Sequence, residues 1–371
     1  MLGLTPVDDV IETLIGMAKP IDGEDSVPIL DALGRVLSSD VQAAVDVPSF
    51  TNSSMDGYAC CAEDISAGSS YDVTGRITAG SPAGRLSGGT LVRVFTGAPL
   101  PEGADAVVIQ EDTIQRGDRV VVEAQPRSGD NVRPCGQDIK AGRVILNQGR
   151  RLRPEDLALA ASVGCDRLSV YRRLRVGVLS TGDELVDPPT PLLTGQIYNS
   201  NHYSLLGTLT NEGFEARDLG RVEDDHEATR VGLSAAADEV DCIITSGGVS
   251  VGEADHVRDA VMEMGDIDIW RLAIKPGKPL AFGNVKGTAI FGLPGNPVST
   301  FVTCRMIALP YLRRCQGQRD IMPRWLWATA DFSWQTQTRR EYLRVRLLHD
   351  DIGNLRAEAF VQQGSGVMSS V

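Results

Sequence analysis

Residues 175–185 read RVGVLSTGDEL and residues 241–255 read DCIITSGGVSVGEAD. Each opens with a short apolar run that stops at small, turn-forming residues, the mark of a strand buried on both faces. Outward from them, the pattern predicts helices over His202–Glu212, Asp225–Asp238 and Asp255–Met264, and a strand over Phe214–Val222. Further strands follow at Ile267–Ile274, Pro279–Phe282 and Ala289–Leu293, then a long helix to about Arg314, with Asn284 to Gly287 as a hairpin turn at the edge. Strands alternating with helices predict a doubly wound, mostly parallel α/β sheet.

Ligands of such a sheet sit beyond the carboxyl ends of its strands. Three loops fall there. Ser180, Thr181 and Gly182 lead into Asp183 and Glu184; Ser246, Gly247, Gly248 and Ser250 lead into Asp255; Pro294 and Pro297 stiffen the loop before the last helix. Glycines let backbone N–H groups approach an oxyanion. One such loop is ordinary close packing; three on one edge point to a phosphate-bearing ligand. None matches the P-loop or GxGxxG, so the common nucleotide-hydrolase and dinucleotide readings lose support. Lys275-Pro-Gly-Lys278-Pro sets two ammonium groups on a rigid turn after a strand of the same sheet, suited to an anion. Glu184, Asp224 and Asp255 offer hard oxygen donors to Mg²⁺. The bland roles for Asp224 and Asp255 are helix caps.

The rest of the chain differs in character. An opening helix is expected after Thr5 as cap and Pro6 at the first helical position, with Val7, Val10, Ile11 and Leu14 on one face. A helix at Pro154–Val163 would join it in an elongated connecting layer. Tyr71–Ile77, Thr90–Phe95, Ala106–Gln110 and Arg119–Glu123 are short Val-rich strands, with a hairpin turn at Arg116-Gly117-Asp118. After about 318 a small β unit carries Glu341–Leu348 and Leu355–Val361. The segments PSFTNSSMDGYA (48–59) and TGAPLPEGAD (96–105) read equally well as turns or as a polar site around Asp56.

Composition narrows the function. The net charge of −13 argues against a protein that grips nucleic acid or an anionic membrane. Seven cysteines without CxxC spacing read as reduced thiols of a cytoplasmic protein. The N-terminus carries acids where a signal peptide needs bases, and no run reaches the ~18 apolar residues of a membrane span.

Taken together, PSFTNSSMDGYA, FTGAPLPEGADAVV, GQDI at 136–139, LSTGDEL, TSGGVSVGEAD, KPGKP and GLPGNPVS, in that order, resemble the molybdopterin molybdenumtransferase family, which includes the MoeA-type enzymes and the gephyrin E domain. The resemblance covers roughly residues 5 to 371. It implies transfer of molybdenum from molybdate into adenylylated molybdopterin, with Mg²⁺ and release of AMP. It implies a homodimer whose cleft is shared between subunits, and transient contact with the adenylyltransferase that makes the substrate. The expected units are an elongated dimerisation domain (1–48 and 139–173), a β-rich domain (49–138), the α/β domain (174–317) and a C-terminal, barrel-like β domain (318–371). Asp56, Thr96 and Asp138 match functional positions on one side of the cleft. Glu184, Asp224 and Asp255 match on the other, with Lys275 and Lys278 near molybdate; Pro294 and Pro297 match the rigid loop. Arg344 and Ser365 fall in segments resembling the molybdate-contacting part. Arg271 stands where some relatives carry Lys, and the chain stops inside QGSGVMSSV, where the family usually runs on. The competing readings are the adenylyltransferase itself, a single α/β domain, and a gephyrin-like scaffold without turnover.

Overall fold

A computed structural model of the chain describes residues 3–247 and 256–371. Its centre is a six-stranded sheet of β1 (Arg175–Thr181), β2 (Glu215–Val222), β3 (Cys242–Ser246), β4 (Gly265–Arg271), β5 (Pro279–Val285) and β6 (Thr288–Leu293), in the order β2-β1-β3-β6-β5-β4. The first four in that order are parallel; at the edge β5 runs antiparallel to both β6 and β4, so β4 points the same way as the first four. The β5–β6 connection is the expected hairpin: Lys286 and Gly287 both take positive φ, at 52° and 88°, which matches the twist of the paired strands.

Alternation along the strands sends side chains to two cores. Val176, Val178, Ile244, Phe291 and Leu293 face the helices Ser200–Asn211 and Pro297–Thr303. Leu179, Ile243 and Ile290 face the helices His226–Glu239 and His256–Met264. Helices cover both faces, as a doubly wound sheet requires. Asp225, not Asp224, caps the helix His226–Glu239, accepting the Ala228 N–H at 2.9 Å. The last helix is interrupted by a π-type stretch at Cys304–Ala308 before continuing to Cys315; Pro310, four residues after Met306, has no N–H to offer the Met306 carbonyl.

The opening helix, Val7–Met17, differs from expectation. Thr5 does not cap it; the Thr5 backbone instead pairs with Arg271 and Ala273 beside β4, and Pro6 occupies the cap position. Its buried face, Val7, Val10, Ile11 and Leu14, packs into the α/β core rather than against Pro154–Ser162. The connecting unit is built without it. Glu24–Pro28 pairs antiparallel with Arg167–Tyr171, and Ala32, Leu37, Leu152, Ala160 and Val170 share a small core.

The β-rich unit is a six-stranded sheet ordered Ala106–Ile109, Gly57–Cys60, Leu91–Val94, Ser70–Ile77, Arg119–Val122, Thr113–Arg116. Gly57–Cys60, the Gly-Tyr-Ala-Cys of the MDGYA segment, is therefore a fully buried inner strand, not a hairpin tip. The C-terminal unit is a three-stranded sheet of Thr329–Ala330, Leu355–Ala359 and Val345–His349; the described strands do not close a barrel. It docks on the α/β unit through Arg340–Glu341, which pairs in parallel with Ile274–Lys275. No helix among the described residues is long and apolar enough to cross a membrane.

Candidate functional site

The three loops do lie level. Ser180 registers with Ser246, and Ser246 with Leu293, so the carboxyl ends of β1, β3 and β6 reach the same height. The Gly247 N–H donates to the Leu293 carbonyl at 3.0 Å. A Cβ on Gly295 would stand 3.7 Å from the Gly247 Cα, so these two loops touch through glycine.

Against this edge lies a cavity of about 460 Å³. Its wall combines Gly247, the Lys275–Pro279 turn, Pro294 to Asn296, Ser299, Arg339 and Gln363 to Ser365. Sequence elements almost 120 positions apart thus meet at one place, and the cations in the wall are Lys275, Lys278 and Arg339. Lys275 is partly countered by Glu341, 3.5 Å away, whose side chain is 6% exposed. The Trp334 indole N–H also donates to Glu341, at 2.9 Å, and this bond, with Lys275 adding to it, holds the Glu341 carboxyl below its usual range. Lys278 has no ion-pair partner among the described residues. Arg339 was missed in the sequence; the only signal was its place in the dibasic Arg339-Arg340 before a strand. Arg340 itself pairs with Asp8 of the opening helix.

The turn is shaped by glycine. Gly277 takes φ +108°, and a Cβ there would stand 2.6 Å from the Thr303 Cγ2. Gly277→Ala is expected to destabilise the protein by about 1–3 kcal/mol and to displace both lysines; a thermal melt matching the parent would contradict the packing.

Several expected residues are placed otherwise. Ser180 is buried and its hydroxyl serves the interior, accepting from Asn199 Nδ2 at 3.0 Å and lying 3.3 Å from His202 Nδ1. Thr181 and Ser246 are also buried, at strand ends. Pro297 starts the last helix and does not line the cavity, whereas Pro294 does. Arg344 is not in the wall. Its guanidinium donates to the Gly364 carbonyl at 2.9 Å and to Ser370 Oγ at 3.1 Å, so it braces the loop that carries Ser365. The Ser365 carbonyl accepts from the Val298 N–H at 2.9 Å, and Ser365 lines the cavity.

Glu184 and Asp224 are exposed, and neither carboxylate has a partner among the described residues. The Glu184 carboxylate lies over Gly182, where an added Cβ would meet it at 2.6 Å. The Asp224 N–H donates to Asp183 Oδ1 at 3.3 Å. Because Asp225 takes the cap, the Asp224 carboxylate is free of the bland role. Both are hard oxygen donors of the kind Mg²⁺ takes. Among the described residues no group of three or more His, Cys, Asp or Glu converges on one point. Asp255, Gly248 and Ser250 lie outside the described residues.

Asp56 and Thr96 are brought together across the β-rich unit. Asp56 Oδ1 accepts from both the Thr96 N–H and the Thr96 hydroxyl, each at 2.8 Å, and these bonds hold its carboxyl below the usual range. Asp138 is exposed beside a separate hollow with Val47, Asn52 and Arg133. None of the three lines the lysine cavity.

Residues 5–164 match the family described as the MoeA N-terminal region, domains I and II, and residues 177–314 match the probable molybdopterin binding domain. A relative from Haemophilus influenzae named molybdopterin molybdenumtransferase is 41% identical over 292 residues, 78% of this chain and 72% of that protein. The chain belongs to the molybdopterin molybdenumtransferase family. A second relative, molybdopterin molybdenumtransferase 2 of Mycobacterium tuberculosis, is 39% identical over 323 residues, 84% of this chain and 79% of that one. The molybdopterin biosynthesis MoeA protein of Pyrococcus horikoshii superposes with a TM-score of 0.80 at 32% identity, covering 99% of this chain and 92% of that one. Membership in the molybdopterin molybdenumtransferase family places the chain in molybdenum cofactor biosynthesis as a transferase.

Proposed function

We propose that the chain inserts molybdenum from molybdate into adenylylated molybdopterin and releases AMP. The observation that carries this reading is the cavity where Lys275, Lys278 and Arg339 face the level ends of β3 and β6. Molybdate is a compact dianion, and ammonium groups are point charges that follow a tetrahedral oxyanion without a fixed approach direction. Rigid cations that need no reorganisation stabilise charge that develops as the phosphoanhydride of the substrate breaks. The Gly247 loop leaves room for the phosphates of the adenylylated pterin at the same edge.

Asp56, Thr96 and Asp138 are supplied in this proposal by a second copy of the chain, because they line no part of the lysine cavity. The carboxylate of Asp56, kept ionised by Thr96, would orient the pterin or accept a proton. Glu184 and Asp224, with Asp255, would hold Mg²⁺, which supplies charge neutralisation on the phosphates when bound.

The assay is AMP release from adenylylated molybdopterin. Release should require molybdate and fall when EDTA removes divalent cations. No molybdate-dependent release, under conditions where a relative turns over, refutes the proposal. Adenylylation of molybdopterin by ATP would instead support an adenylyltransferase. A folded protein with neither activity would support a scaffold.

A further inference from the structure

A second cavity, of about 940 Å³, lies among residues 149–154 of the connecting unit, Glu212 and Arg313 of the α/β unit, and residues 318–324 leading to the C-terminal unit. It shares no wall residue with the lysine cavity. In a chain of net charge −13, its wall holds six arginines against the carboxylates of Glu212 and Asp320.

Four of the arginines are engaged. Arg313 and Arg151 reach Glu212 at 2.9 and 3.8 Å, Arg150 reaches Asp156 at 2.7 Å, and Arg153 reaches Glu155 at 2.9 Å. Arg319 and Arg324 have no ion pair or side-chain hydrogen bond among the described residues. Gln318, also in the wall, is 5% exposed, yet its side-chain amide nitrogen is buried without an acceptor. Arg150 Nε is buried and unpaired as well. Buried donors left without acceptors are costly and uncommon in folded proteins.

Every unsatisfied group named here is a donor, so the complement is a group that only accepts. A carboxylate offers two oxygens. Two free guanidinium forks, a glutamine amide and an arginine Nε ask for more, and a phosphate offers three oxygens with up to two negative charges. Leu33, Leu152 and Met322 supply an apolar wall for an organic remainder, and the volume is that of a small-molecule site. We infer that this cavity binds the phosphate group of a small molecule, apart from the lysine site. The bound phosphate would tie residues 149–154 to residues 318–324, which already meet where the Arg319 N–H donates to the Gly149 carbonyl at 3.0 Å.

The test uses the full chain carrying Lys275→Ala and Lys278→Ala, so that anion binding at the first cavity is suppressed. Titration calorimetry with pyrophosphate, inorganic phosphate and acetate then reads the second. Saturable binding of the two phosphates, with acetate at least tenfold weaker, is expected. Adding Arg319→Ala and Arg324→Ala should weaken phosphate binding by about tenfold or more. Should that variant fail to fold, Arg324→Ala alone, which removes no ion pair or hydrogen bond among the described residues, and Gln318→Leu should each weaken it severalfold. No saturable phosphate binding, acetate binding equal to phosphate, or binding indifferent to these substitutions would overturn the inference.

Discussion

Replacing Lys275 and Lys278 together by alanine is expected to cut molybdate-dependent AMP release by about 100- to 1000-fold, the loss typical when preorganised charge is removed from a reacting oxyanion. The two changes should not be equal. Lys275 shares its charge with Glu341 at 3.5 Å, whereas Lys278 faces the cavity without an ion-pair partner. The single Lys278→Ala should therefore cost more than Lys275→Ala. Folding should survive, since both side chains are only half-buried. The readouts are kcat/KM for molybdate and a thermal melt. Turnover within a factor of three of the parent, in a folded double variant, would remove molybdate from this cavity. The same variant tests the shared cleft. If the cleft is shared as proposed, then in a mixture with Asp56→Ala each homodimer would lack one half of every site, but a mixed dimer would regain one complete site. Recovered activity on mixing is expected; none, with subunit exchange shown independently, would place Asp56 and the lysines in separate roles.

The α/β core was legible because its signals are local. RVGVLS and DCIIT are apolar runs closed by Gly, and β1 and β3 begin and end within a residue or two of them. The level loop ends follow from the parallel register, so the Lys275–Gly247–Pro294 assembly could be anticipated from strand order alone. What stayed hidden depends on tertiary choice. Ser180 looked like a ligand-facing hydroxyl, but strand alternation and the nearby Asn199 and His202 turn it inward. Arg344 and Arg339 lie five positions apart on one basic stretch. Only the fold decides that Arg339 reaches the cavity while Arg344 braces the Gly364 loop. The opening helix has an apolar face that either neighbour could bury; packing against the last helix gave it to the α/β core. The arginine cavity has contributions from four distant segments and no motif at all.

Truncating Asp241 is expected to be strongly destabilising, at about 3–5 kcal/mol for Asp241→Ala. Its carboxylate accepts from Arg172 Nη1 at 2.7 Å, from Arg175 Nη2 at 3.0 Å and from the Arg175 N–H at 2.8 Å, and only 15% of the side chain is exposed. Burial alone would raise this carboxyl, but the two guanidinium groups and the backbone bond outweigh it and hold the pKa at about 2. A carboxyl lowered on folding stabilises the native state above its unfolded value, near 4, and loses that contribution as pH falls through its folded value. The shift from 3.8 to about 2 corresponds to roughly 2 kcal/mol. This carboxyl should thus account for about that much of the stability the parent loses between pH 4 and pH 2 in denaturant unfolding, and Asp241→Asn should lose less over that range by about the same amount. Protonation costs less than truncation because a neutral carboxyl still fills the space and still accepts hydrogen bonds. Removing it leaves Arg172 and Arg175 facing each other across a gap. Both arginines keep a third or more of their side chains in water, so the lower end of the range is expected for Asp241→Ala. Asp241 also immediately precedes β3, whose other end carries Gly247 into the lysine cavity. A variant that melts early yet keeps its molybdate kcat/KM below the melt would mean that the strand is anchored by its apolar faces. A parallel loss of both would mean that this ion triad also sets the height of the Gly247 loop.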